Sequence, residues 1–123
     1  MSYILVNALP ILVAGLAGTV LIALAWRGRT TPVILAATFV LLSWLAAILA
    51  GALILAPVTA GVWTVALGSA FIIWIGFVLP TVAVSLVTRG VGWPRALTEA
   101  ATWLAVMLAQ AAVLRAIGVV GPG

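Results

Sequence analysis

Apolar residues run through this chain in four long blocks, separated by short clusters of Arg, Gly, Pro and Thr. The first block covers about residues 3–26 and stops at Arg27-Gly28-Arg29-Thr30-Thr31. Pro32 suits the start of a helix, where a missing N–H costs nothing, and the second block runs to about residue 55. Ala56-Pro57-Val58-Thr59-Ala60-Gly61 is expected to turn. The third block covers about residues 62–88 and ends at Arg89-Gly90-Val91-Gly92. Pro94 opens the fourth, over about residues 94–118, and Gly121-Pro122-Gly123 is too rich in Gly and Pro for regular structure.

Each block reaches the roughly 20 residues that cross a bilayer as a helix. Backbone left irregular in hydrocarbon would strand N–H and C=O groups, so helices with short polar turns are the expected solution. The alternation of a membrane β-barrel is absent. Short connections make successive helices antiparallel neighbours. The pattern therefore predicts an all-α, integral membrane, up-down-up-down four-helix bundle, a single transmembrane domain over residues 1–123. No internal repeat interrupts it.

Composition agrees. Of 123 residues 67% are hydrophobic and 5% charged, where a water-soluble domain carries about a quarter charged. Lipid is the expected solvent and partner. Arg27 and Arg29 lie in the first loop, and Arg89 and Arg95 flank the third. Only Arg115 lies toward the other side. Excess Arg marks the cytoplasmic side, so both termini are expected outside. Ala23-Leu24-Ala25 looks like a cleavage site, but the basic residues follow the apolar run rather than precede it, so the first helix is expected to be retained. The net charge of +4 comes from arginines at membrane borders. They suit anionic headgroups, and no basic patch interleaved with exposed aromatics suggests nucleic acid.

The reactive inventory is thin. The sequence has no Cys, His, Asp or Lys, and one Glu. Thiol catalysis, disulfides, Fe–S clusters and His-held zinc or haem are excluded within the chain. So are a carboxylate pair and a Schiff-base lysine. No Gly-rich phosphate loop ends in Lys. No catalytic residue, metal or cofactor is expected. A ligand lent to a partner's cofactor would come from Glu99, Met1, Met107 or a backbone carbonyl.

Helix four carries the most distinctive pattern. At about 100° per residue, Arg95, Glu99, Trp103, Val106 and Gln110 share one sector. Ala101, Ala105, Ala109, Ala112 and Ala116 lie nearly opposite, at the spacing that lets helix backbones approach closely. The polar stripe either docks a partner or lines a site, or packs inside the chain with Trp103 and Gln110 finding partners there. Glu99 is an intramembrane acid and so a functional candidate. It also suits a helix N-terminus and can pair with Arg95 one turn back. Arg115 can snorkel to headgroups.

Elsewhere, Trp26, Trp63 and Trp93 sit at expected interfaces. Trp44 and Trp74 lie near mid-span, where an indole N–H needs a partner. They either bond a neighbouring helix or wall a pigment, quinone or lipid. Pro80 cannot donate to the Gly76 carbonyl, so a kink or opening is expected at Gly76, Pro80 and Thr81. Thr81, Ser85 and Thr88 share a sector with Trp74 if the helix stays in phase. Asn7, Ala14, Gly18 and Ala25 form a seam on helix one, and Ser43, Ala47 and Ala50 another on helix two.

The stretch Trp74-Ile75-Gly76-Phe77-Val78-Leu79-Pro80-Thr81, then Arg89-Gly90, Trp93 and an apolar fourth helix with Trp103, resembles a family of small bacterial membrane proteins. It is the domain of unknown function numbered seventeen sixty-one. Ala23-Leu24-Ala25-Trp26 resembles the end of its first helix, and the likeness lies mainly over residues 60–118. The resemblance implies four membrane helices and the bacterial inner (cytoplasmic) membrane. It implies no activity and no site residues.

Two functions lead, and a third option is an enzyme whose active groups come mainly from a partner. The first is a non-enzymatic membrane subunit, or small oligomer, that scaffolds or stabilises a larger membrane complex such as a respiratory or photosynthetic one. The second is a small oligomeric transporter or channel for a small solute or ion, which would place Glu99, Gln110 or the Pro80 opening in a water-accessible cavity.

Overall fold

A computed structural model describes residues 2–55 and 61–120. The turn expected over residues 56–60 and the Gly-Pro-Gly tail lie outside the described residues.

The chain opens with a short helix α1 (Ser2–Val6) that hands over to α2 (Ala8–Ala25) at Asn7. Pro10 explains the hitch, because it has no N–H to return to the Val6 carbonyl. Gly28, at φ 81°, bends loop one in a conformation that suits glycine. Helix α3 (Pro32–Leu55) begins with Thr31 Oγ1 accepting the Ile34 N–H at 3.2 Å, a side-chain cap of the first turn. The third span comprises α4 (Val62–Ile73), a π-helical turn (Trp74–Val78) and α5 (Leu79–Val87). Helix α6 (Trp93–Ile117) follows, and Gly118 at φ 94° ends it. Among the described residues no strand occurs. Among the described residues four helical segments are long and apolar enough to cross a membrane: Ala8–Ala25, Pro32–Leu55, Val62–Val87 and Trp93–Ile117.

Helix α6 is the common partner. It packs against α2, α3, α4 and α5, while α2 also lies along α3. Small residues make the closest approaches. Gly15 of α2 lies directly on Ser43 of α3, and Gly18 sits beneath Gln110 and Leu42. The main core joins Ala14, Ala47, Leu49, Ala70, Met107 and Leu114. A smaller cluster of Ile22, Leu42 and Val106 lies toward Trp26 and Trp103.

Two expectations are corrected by this packing. The alanine row expected to be the close-packing face of α6 is not the one turned inward. Ala101, Ala105 and Ala116 are exposed, and Ala109 and Ala112 only half-buried. The buried face carries Ala96, Ala100, Val106, Met107, Gln110 and Leu114. Facing out leaves no group of the alanine row unpaired, whereas the Gln110 amide must find partners in the core; the polar residue sets the rotation of the helix. On helix one, the seam holds for Asn7, Ala14 and Gly18, but Ala25 is exposed beside the loop.

Pro80 produces a wide turn rather than a break. The Leu79 N–H reaches back five residues to the Trp74 carbonyl. The π-turn absorbs one extra residue and shifts the phase of all that follows. A regular helix through Ala66 and Ala70 would bring Phe77 inward. Instead Phe77 is 72% exposed and Val78 packs on the core. Beyond the turn, Thr81, Ser85 and Arg89 line one cleft, and Thr88 is not among its lining residues.

The Gly15 contact yields a test. A Cβ at Gly15 would collide with Ser43 Oγ and approach the Ser43 Cα to 3.0 Å, so neither a rotamer change nor a small side-chain shift relieves it. Gly15→Ala is expected to part α2 from α3 and cost about 1–3 kcal/mol. Gly68→Ala, whose Cβ meets nothing within 4 Å, is expected to be neutral or to stabilise by up to about 1 kcal/mol. Thermal unfolding of both variants in the same detergent checks the contrast.

Candidate functional site

Two groups of polar side chains stand out in the described spans. The first fastens helices together. Gln110 is fully buried and donates Nε2–H to the Leu42 carbonyl at 2.9 Å and, more loosely, to the Ala14 carbonyl at 3.3 Å. One amide thus ties α6 to α3 and α2. Its Oε1 and the nearby Ser43 Oγ have no hydrogen-bond partner among the described residues. Trp74 donates its indole N–H to the Ala100 carbonyl at 2.8 Å, and Tyr3 donates its hydroxyl to the Ala47 carbonyl at 3.1 Å. Asn7 is 1% exposed and clasps the far end of the chain. Its Nδ2 donates to the Tyr3 and Val120 carbonyls, and its Oδ1 accepts the Val120 N–H at 2.6 Å.

The second group surrounds a cleft of about 230 Å³ between the end of α2, one side of α5 and the first turns of α6. Trp26 and Trp103 form one wall, their rings tilted by 49° with centroids 6.3 Å apart. Thr81, Val82, Ser85 and Leu86 form the other, and Arg89 and Glu99 complete it toward the loops. The Glu99 side chain is 19% exposed and lies between two cations: Arg95 at 3.7 Å, one turn back on α6, and Arg29 at 4.0 Å, from loop one. Both separations exceed hydrogen-bond length, so these are ion pairs through space. Arg89 is held differently. Its Nε–H donates to the Ser85 carbonyl at 2.9 Å and its Nη2 to Ser85 Oγ at 3.1 Å, which fixes the plane of the guanidinium.

The stripe Arg95, Glu99, Trp103 and Gln110 therefore divides. Glu99 and Trp103 reach the cleft, Arg95 stands at its edge on Glu99, and Gln110 lies sealed in the core. Gly76 and Pro80 are exposed, while Thr81 lines the cleft. Trp74 has a bonded, half-buried indole. Trp44 is 55% exposed and borders an apolar groove with Ile11 and Val40. Arg115 is half-buried in the last turn of α6. The sequence reading missed Trp26 and Arg29 as members of the site. Their positions, Trp26 at the end of α2 and Arg29 in loop one, were the available signal, because loop one and the start of α6 both carry arginine. Among the described residues no group of His, Cys, Asp or Glu is arranged to hold a metal ion.

No family model, curated protein or solved structure matches the chain. The resemblance over residues 60–118 stands on its quoted residues alone.

The electrostatics of the Glu99 trio give a second test. Both arginine side chains are more than half exposed, and such pairs contribute about 0–1 kcal/mol. Glu99→Gln is expected to lower stability by under about 1 kcal/mol. Asn7→Ala removes both bonds that hold Val120 and is expected to cost about 1–3 kcal/mol. Denaturation in detergent ranks the two; a larger loss in Glu99→Gln would make the trio, not the Asn7 clasp, the stronger fastening.

Proposed function

We propose that this chain is a non-enzymatic, multi-pass membrane subunit that scaffolds or stabilises a larger membrane assembly. Its spans run up-down-up-down as a four-helix bundle in a bacterial inner membrane, with both termini outside. Supporting the alternation, Arg29 of loop one meets Glu99 just past loop three, while Asn7 and Val120 meet elsewhere in the fold, near the start of the first span and the end of the last. Placing the arginine-bearing loops in the cytoplasm follows the charge asymmetry.

One observation carries the scaffold reading. Four polar side chains hold the chain's own helices and ends together: Gln110, Trp74, Tyr3 and Asn7 all bond backbone carbonyls. What remains to offer is helix surface. The third span offers most, since only Ala66, Ala70 and Ala83 are buried along it and Phe71, Ile72 and Phe77 face outward. Partners would be other membrane subunits or further copies of this chain.

A specific feature favours a second reading, a small oligomeric transporter or channel. The cleft contains Glu99 and Thr81 beside the π-turn, where a coupling group would sit. One experiment separates the two. The protein is extracted gently, its co-purifying proteins are identified by mass spectrometry, and solute flux is measured in proteoliposomes with wild type and Glu99→Gln. A defined set of subunits with flux insensitive to Glu99→Gln supports the scaffold. A lone protein whose pH-dependent flux vanishes in a folded Glu99→Gln overturns it.

Topology is checked separately by single-Cys labelling, which has a clean background because the chain has no cysteine. Gly61→Cys is expected to react with an impermeant thiol reagent in intact cells, and Thr30→Cys and Gly92→Cys only after permeabilisation. The reverse pattern inverts the orientation.

A further inference from the structure

Among the described residues Arg89 is a cation without a counter-ion. The chain has five arginines and one acid, and that acid, Glu99, already lies between Arg29 and Arg95. No carboxylate side chain is left for Arg89. Yet its guanidinium is not free to wander, because Ser85 holds it through both the backbone carbonyl and the hydroxyl. An oriented guanidinium is pre-organised to grip a tetrahedral oxyanion, since little side-chain freedom remains to be lost on binding. Counting Arg29, Arg89 and Arg95 against Glu99, the surroundings carry three positive charges and one negative, so an anion is favoured and a cation is not.

Behind this charged edge the cleft changes character. The indoles of Trp26 and Trp103 and the side chains of Val82 and Leu86 present hydrocarbon, with the Thr81 hydroxyl between. At about 230 Å³ the space is smaller than the roughly 300–1,000 Å³ that enclose a whole drug-sized ligand. It takes a headgroup and the first part of a chain, the rest lying along the outside of the helices. Indoles at this depth suit the boundary between headgroup and acyl region.

We infer that the cleft bounded by Trp26, Ser85, Arg89 and Trp103 binds the phosphate group of an anionic phospholipid, with Arg89 as the principal ligand and the two indoles flanking the upper chain. This rests on the membrane-spanning arrangement proposed above and is independent of any host complex. Its failure in a folded protein would leave the labelling pattern of the loops unchanged, so the two are told apart.

The test uses the full chain, purified in a neutral detergent and stripped of lipid. Thermal unfolding is followed while phosphatidylglycerol, phosphatidylcholine or inorganic phosphate is added. Phosphatidylglycerol is expected to raise the Tm saturably, and phosphatidylcholine and inorganic phosphate to leave it near its starting value. Arg89→Gln is expected to weaken apparent phosphatidylglycerol binding about tenfold or more, the effect of losing a charge-assisted contact. Ser85→Ala, which keeps the charge but releases the guanidinium, is expected to weaken it by a smaller factor. Arg115→Gln, at the other end of α6, is expected to titrate like wild type. Circular dichroism establishes that each variant is folded before titration. Equal protection by inorganic phosphate would assign the cleft to a soluble phosphate and overturn the lipid assignment. Equal protection by phosphatidylcholine, or identical titrations for Arg89→Gln and Arg115→Gln, would overturn the Arg89 site altogether.

Discussion

Hydrocarbon gives a buried amide no water to bond, and that constraint fixes the centre of this molecule. Gln110 is fully enclosed, so its donors must end on backbone carbonyls, and those of Leu42 and Ala14 are the ones in reach. The two bonds set the rotation of α6 about its own axis and the separation of α2 from α3. Gly18 lies beneath the amide because a Cβ there would come within 3.0 Å of Nε2. The adjacent Gly15 contact with Ser43 then follows from the same close approach. Apolar burial within the chain contributes less to specificity than it would in water, since lipid tails are as apolar as the core. Packing of small residues and a few obligatory hydrogen bonds decide the arrangement.

The same economy explains why the site lies where it does. Deep in the spans Gln110 and Trp74 spend their donors on neighbouring helices, and charge persists only where the helices emerge. Arg29, Arg89 and Arg95 converge on one end because loops one and three both meet α6 there. The tryptophan pair closes the cleft on its inner side. Nothing further inward is charged: from Trp103 the next polar side chain on that face of α6 is Gln110, already bonded.

Much of this was legible in the chain. The four apolar blocks, their Gly- and Arg-bearing ends and the Arg95–Glu99 pair all reflect local rules of length, capping and one-turn spacing. The alanine row on α6 misled, because small residues mark where a helix can approach another without saying which face does. Gln110 held the better information: a polar group with a large penalty for facing lipid orients a helix more strongly than five alanines with almost none. Arg29 and Trp26 escaped notice because their roles depend on tertiary contacts across dozens of residues. The π-turn defeated simple counting at 100° per residue. Pro80 signalled a disturbance, but only the structure distinguishes a kink from an added residue, and the difference exchanges Phe77 for Val78.

The clasp between Asn7 and Val120 spans 113 positions of sequence, and that separation has a bearing on biogenesis. A membrane protein enters the bilayer helix by helix as it is synthesised. The first span therefore arrives with an amide whose final acceptor and donor have not yet been made. Until Val120 has been made, that side chain must borrow those partners from water at the interface or from the insertion machinery. Helix one is thus provisional until α6 has been inserted, and the clasp closes only when the residues that follow α6 return to meet Asn7.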